Sequence, residues 1–174
     1  MDDEIQVIKD NVSTELETAR RSFARLLDAM TADDLSRPSS GTRWTNEELL
    51  FHMLFGYLIL WSLIWIVKIF GRLPMRVSAL FAALLNRLTG PFNLLNYIGS
   101  VMGAKIYDHR RMSPKFDRVA ASLQRRVAAE SDRSLLLQMC FPVRWDPFFK
   151  REMTLADLYH YPTQHFEFHR RQLS

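Results

Sequence analysis

Thr45-Asn-Glu-Glu-Leu-Leu-Phe-His52-Met-Leu-Phe-Gly-Tyr-Leu-Ile-Leu-Trp-Ser-Leu-Ile-Trp-Ile-Val67 is the stretch on which the fold turns. It opens with a helix start. Thr45 as N-cap and Glu48 three residues on make a capping box, each side chain accepting a backbone N–H of the other, and Trp44 is placed to staple onto Leu49. Residues 49–67 are then nineteen in a row without a formal charge, followed by Lys68, Arg72 and Arg76. By length alone such a run can span a bilayer, with basic residues beyond its end. A helix apolar on every side is also what the centre of a helical protein requires. His52, two turns inside, separates the readings: a span would pull it away from the histidines near the C-terminus, whereas a buried central helix can bring them together. We therefore read the chain as soluble or peripheral. Membrane contact is kept as the alternative, because no Asp or Glu occurs anywhere in 49–107.

The C-terminal partner is Gln164-His165-Phe-Glu-Phe-His169-Arg-Arg-Gln-Leu173. Four residues is about one helical turn, so His165 and His169 leave the same face of a helix and can share a divalent metal. The zincin motif His-Glu-x-x-His is excluded, because Phe166 stands where the general base belongs and Glu167 points to the other side. Transition metals usually take three or more protein ligands, and His52 is the best third. Three neutral nitrogens leave coordination positions open, the arrangement of a catalytic rather than a structural metal. Glu48 and Gln172 are the candidate oxygen partners for the second ring N–H of these imidazoles. His160 lies on a different face and is assigned to structure or to the groups behind the ligands, and His109 falls in the charged stretch Asp108-His109-Arg110-Arg111 and is expected to be exposed. The blander reading is a surface His pair bonded to water, with His52 a core histidine holding one hydrogen bond.

The remaining pattern is helical. Ile5, Ile8, Val12, Leu16, Ala19, Phe23 and Leu26 recur at steps of three and four, giving an amphipathic helix over 3–30. Thr31 to Asp34 offers a capping-box restart, and 37–41 reads as a loop. Shorter helices over 74–88 and 92–105, parted by Thr89-Gly90-Pro91, form an apolar insertion at about 68–107. A long amphipathic helix over 114–139 follows, then an aromatic loop, 141–149, whose Pro142 and Pro147 bar a regular helix. Thr154-Leu-Ala-Asp157 announces the last helix, in which Pro162 makes a kink or starts a second piece. No strand with sustained period-two alternation and no internal repeat is found, so the class is all-α, with one domain over 1–174.

Composition narrows the function classes. At 174 residues and 48% hydrophobic, the chain can bury a core without help. A single cysteine, Cys140, rules out an intramolecular disulfide and is read as a small buried hydrophobe. Met1-Asp-Asp-Glu-Ile5 lacks the basic, apolar start of a secretory signal, so a cytoplasmic location is expected. The net charge of +4 is spread over scattered arginine pairs. With no basic block, helix-turn-helix or zinc-finger pattern, no nucleic-acid partner is expected.

Thr42-Arg-Trp-Thr-Asn-Glu-Glu-Leu-Leu-Phe-His52 resembles the Trp-containing, His-bearing second helix of the DinB-like (DinB/YfiT) superfamily. His165-Phe-Glu-Phe-His169-Arg-Arg-Gln-Leu173 is similar to its C-terminal His-x-x-x-His ending, and the order of elements is similar too. The resemblance implies a four-helix bundle of up-down-down-up type, here with extra helices inserted between the second and third bundle helices. It also implies a divalent metal, zinc or nickel, held by His52, His165 and His169, and thiol-dependent transferase or hydrolase-like chemistry on a small-molecule substrate, with a low-molecular-weight thiol as cosubstrate. The insertion departs from the family pattern. The alternative function is a non-catalytic helical binding protein, whose apolar region contacts a membrane, a lipid-like ligand or a second subunit in a homodimer. In the membrane version Trp61, Trp65, Lys68, Arg72 and Arg76 sit at the interface.

Overall fold

The computed structural model describes residues 2–174, with side chains from residue 3 onward. Among these residues lie eight helices and one two-stranded sheet. Helix α1, Asp2–Ala29, buries Ile5, Val12, Leu16, Ala19, Phe23 and Leu27, one stripe at steps of three, four and seven. With that stripe it packs on the helices called α6 (His109–Ala129) and α8 (Leu155–Arg170). Helix α2, Ala32–Ser36, starts at the Thr31 capping box with Asp34.

Helix α3, Asn46–Phe70, begins at the Thr45/Glu48 capping box and carries the charge-free run. Among the described helices it alone is long and apolar enough to cross a membrane. It nevertheless packs on α6 and α8, and on α5 (Thr89–Ile106). Leu49, Leu50, Met53, Leu54, Tyr57 and Leu60 are fully buried, while Trp65 and Ile69 face outward. Trp44 packs against the core cluster that contains Leu49 and stacks on His52, with ring centroids 4.4 Å apart.

The insertion comprises α4, Met75–Arg87, and α5, parted at Leu88. Thr89, Gly90 and Pro91, expected to form the break, are instead the first turn of α5, where a missing proline N–H costs nothing. Near its end α5 lies so close to α3 that a Cβ on Gly103 would sit 2.0 Å from the Phe51 ring, so only glycine fits there. The outer sides of these helices leave Leu80, Leu84, Leu94, Leu95, Ile98 and Ile106 exposed.

Helix α6 starts earlier than the apolar pattern indicates. Asp108 caps it, accepting the Arg111 N–H at 3.2 Å, and the helix runs through Pro114. It also ends earlier, because Glu130 turns to an extended conformation and Ser131 caps the short α7, Asp132–Leu135. Strands β1, Gln138–Cys140, and β2, Glu152–Thr154, then pair antiparallel, with Met139 opposite Met153. Three residues are too few for alternation to register, which is why the pattern gives no hint of this ribbon. Thr154 closes β2 and caps α8 through a box with Asp157, and α8 continues through Pro162 as one helix.

Candidate metal centre

His52 sits on α3, two turns past the Thr45 cap, and His165 and His169 sit on successive turns of α8, the helix packed against it. The packing joins them: one ligand atom from each of the three lies within 4.8 Å of the others. His52 and His165 are buried, at 4% and 6% exposed. His52 Nε2 and His165 Nε2 are 3.1 Å apart. Two nitrogens bound to one zinc ion at about 2.1 Å stand roughly 3.4 Å apart in a tetrahedral site, so this pair already has ligand spacing.

The hydrogen bonds fix which nitrogen is free. Ser100 Oγ donates to the Asn96 carbonyl at 2.9 Å, so it accepts the Nδ1–H of His52 at 3.1 Å. Asp146 Oδ2 accepts the Nδ1–H of His165 at 2.8 Å, and Gln172 Oε1 accepts that of His169 at 2.6 Å. As neutral rings, each spends Nδ1–H on an oxygen and keeps Nε2 as a lone pair, the tautomer that metal-ligating histidines adopt. Without a cation, the two lone pairs 3.1 Å apart would repel. The donor set therefore fits a divalent metal on its own chemistry.

The electrostatics favour the neutral rings that metal binding needs. Burial lowers the pKa of His52 well below the ordinary imidazole value, and the neighbouring His165 and His169 lower it further. His169 is brought down to about 4, first by burial and then by His165. Burial pushes the Asp146 carboxyl up, but the hydrogen bonds from His165, the Phe148 N–H and Tyr161 outweigh it and leave its pKa lowered. The carboxylate therefore stays charged beside His165 and holds that ring by its Nδ1–H.

Of the expected outer residues, Gln172 reaches His169, whereas Glu48 accepts the Thr45 N–H at 2.9 Å within the capping box. The partner of His52 is Ser100, from α5. His160 bonds Glu15 at 2.9 Å, and His109 lies 3.6 Å from Glu47, both apart from the cluster. Cys140 is buried beside Met75, Sγ to Sδ 3.6 Å. Asp146 escaped the sequence reading. Its only local signal is an acid lodged between Trp145 and Pro147 in an aromatic loop.

A cavity of about 220 Å³ opens beside His52, His165 and Asp146. No family model matches the chain, and neither a curated protein nor a solved structure matches it.

Proposed function

We propose that the protein is a metal-dependent enzyme of DinB-like type, a thiol-dependent transferase or a hydrolase, with His52, His165 and His169 holding one divalent ion, zinc or nickel. In this reading α1, α3, α6 and α8 make the up-down-down-up four-helix bundle, and α4 and α5 are its insertion. The packing of α1 on α6 and α8, and of α3 on α6 and α8, supports that arrangement. The observation that carries the proposal is the convergence: three imidazoles, from helices distant in the chain, each with Nδ1 on an oxygen and with ligand atoms within 4.8 Å of one another.

A bound divalent ion would supply Lewis acidity, lowering the pKa of a thiol or of water so that either is a nucleophile at neutral pH. The chain supplies the rest. Asp146 fixes the His165 ring and keeps a negative charge beside it; Tyr161, whose pKa burial raises far above that of a free phenol, stays protonated and holds Asp146 by a 3.0 Å hydrogen bond. Trp44 lies flat on His52 and limits the ring to one plane. The apolar cavity keeps bulk water away from the reacting end. Elemental analysis of untagged protein tests the reading: about one zinc or nickel per chain is expected, and none in His165→Ala. Metal retained in that variant would defeat it.

A second reading is favoured by the outer surface of α3, α4 and α5. Trp65, Ile69, Leu80 and Leu95 are more than half exposed, and no acidic residue occurs in 49–107, where Arg72 and Arg76 add positive charge. We propose that this face rests on an anionic membrane from the cytoplasmic side. Flotation with anionic vesicles at low salt should carry the protein upward; protein left at the bottom of the gradient would remove this reading.

A further inference from the structure

The cavity beside the histidines has a chemistry of its own. Its walls come from Phe55, Ile59 and Leu63 of α3, Phe81 and Leu85 of α4, and Phe92 of α5. The loop between the strands closes it with Phe141, Trp145 and Phe149. The wall is fixed in place: Trp145 stacks on Phe92 with ring centroids 3.9 Å apart and donates its indole N–H to the Leu85 carbonyl at 2.8 Å. Among the described residues, no lysine or arginine lines the space. Apart from Ser62 and Asn96, its polar side chains gather at one end, with His52, His165, Asp146 and Tyr161. Asp146 and Tyr161 are already committed to each other and to His165. Of these four side chains, only the two imidazoles offer an unspent polar atom.

We infer that this cavity binds an uncharged, lipophilic small molecule with its polar, reactive end at His52 and His165. The inference rests on the metal-centre reading for what the polar end meets, and on the cavity alone for what the body must be. A carboxylate or phosphate in the body of the ligand would find no cation among the lining residues, a desolvation cost without return. An aliphatic or aromatic body gains from every buried carbon. The insertion thereby acquires a role, since α4 and α5 supply the far wall. A hydrophilic thiol cosubstrate does not fit here; the cavity takes the lipophilic reaction partner.

Two measurements test this separately from the metal. The first titrates metal-free protein with the uncharged fluorophore N-phenyl-1-naphthylamine. Saturable binding at one site is expected, displaced by 1-octanol at least tenfold more effectively than by octanoate. Ile59→Trp and Leu85→Trp, which fill the cavity from two different helices, should each weaken the fluorophore at least tenfold while keeping the far-UV helical spectrum. Equal displacement by octanoate, or full binding in both folded variants, would overturn the inference. The second needs no variant: Co²⁺-loaded protein is titrated with alkanethiols from ethanethiol to hexanethiol, following the sulfur-to-cobalt absorption. Affinity should rise roughly fourfold per added methylene. An absorption band whose midpoint ignores chain length overturns the inference and leaves the metal centre standing. Failure of cobalt to bind, with the first titration intact, defeats the metal centre and leaves the lipophilic cavity.

Discussion

Glu130 and the three histidines both place polar groups inside the protein, but the two clusters are built on opposite rules. Glu130 is 5% exposed, and its carboxylate meets Lys68 Nζ at 2.7 Å, the Tyr159 hydroxyl at 3.2 Å and the Ser134 hydroxyl, with Arg126 Nε at 3.9 Å. Acceptor is matched by donor and charge by countercharge, so the cluster is complete as it stands. Around His52, His165 and His169 the outer nitrogens are equally well matched, yet the inner ones are all acceptors. On the proposed reading, the histidine cluster is anchored on its outside by oxygens and turns its inner nitrogens toward an ion that arrives later.

The sharpest way to break this comparison is to remove one imidazole. His165→Ala should take the metal content from about one ion per chain to none, with affinity for zinc, measured against a chromophoric chelator, down by well over a hundredfold. That exceeds the roughly ten- to hundredfold expected when only a supporting residue is lost. Glu130→Gln should leave zinc affinity unchanged. If both variants lost metal alike, the distinction between the clusters would fail.

The converse experiment removes the cation from the complete cluster. Lys68→Met leaves Glu130 buried without its nearest countercharge, and denaturant titration should show a loss of about 3 kcal/mol, the low end for a broken buried pair because the lysine is 19% exposed. Zinc affinity should not move. A smaller effect on the other side comes from Asp146→Asn, which keeps an oxygen for the His165 N–H but discards the charge. Zinc affinity should fall about ten- to hundredfold with little change in unfolding.

The parts of these clusters that the sequence revealed are the local ones. Three helix starts, at Thr31, Thr45 and Thr154, were legible because a capping box is written within four residues. So was the shared face of His165 and His169, which needs only the helical period. The convergence of His52 with that pair spans 113 residues, and it could be framed only as a condition on how α3 packs. Ser100 and Asp146 were missed for the same reason: each acts across the fold, and neither stands in a pattern that periodicity registers. Glu130 falls within 114–139, which the apolar pattern reads as one amphipathic helix, and nothing local marks it as buried. It is buried because α6 stops there, before any apolar pattern announces an end. At its other end α6 begins five residues before Pro114, which reads as a start and is in fact inside the helix.

Acid titration gives the smallest and most specific contrast. Burial acts to raise the Glu130 pKa, but hydrogen bonds from Lys68 and Ser134, with the Lys68 charge, outweigh it and leave the value below the ordinary 4.5. The sign follows from linkage. The unfolded chain takes up a proton near pH 4.5 and the folded one only at lower pH, so the stabilisation is fully present above 4.5 and is lost as pH falls through the folded value. Stability measured from about pH 6 downward should therefore begin to decline near 4.5 in the wild type, with a shallower decline in Glu130→Gln, whose amide cannot titrate. Lys68→Met should also be shallower, because the interaction that held the carboxyl ionised is gone. Unchanged acid slopes in both variants would show that this carboxylate is not held by its partners, and the complete cluster would lose its claim to be the opposite of the open one.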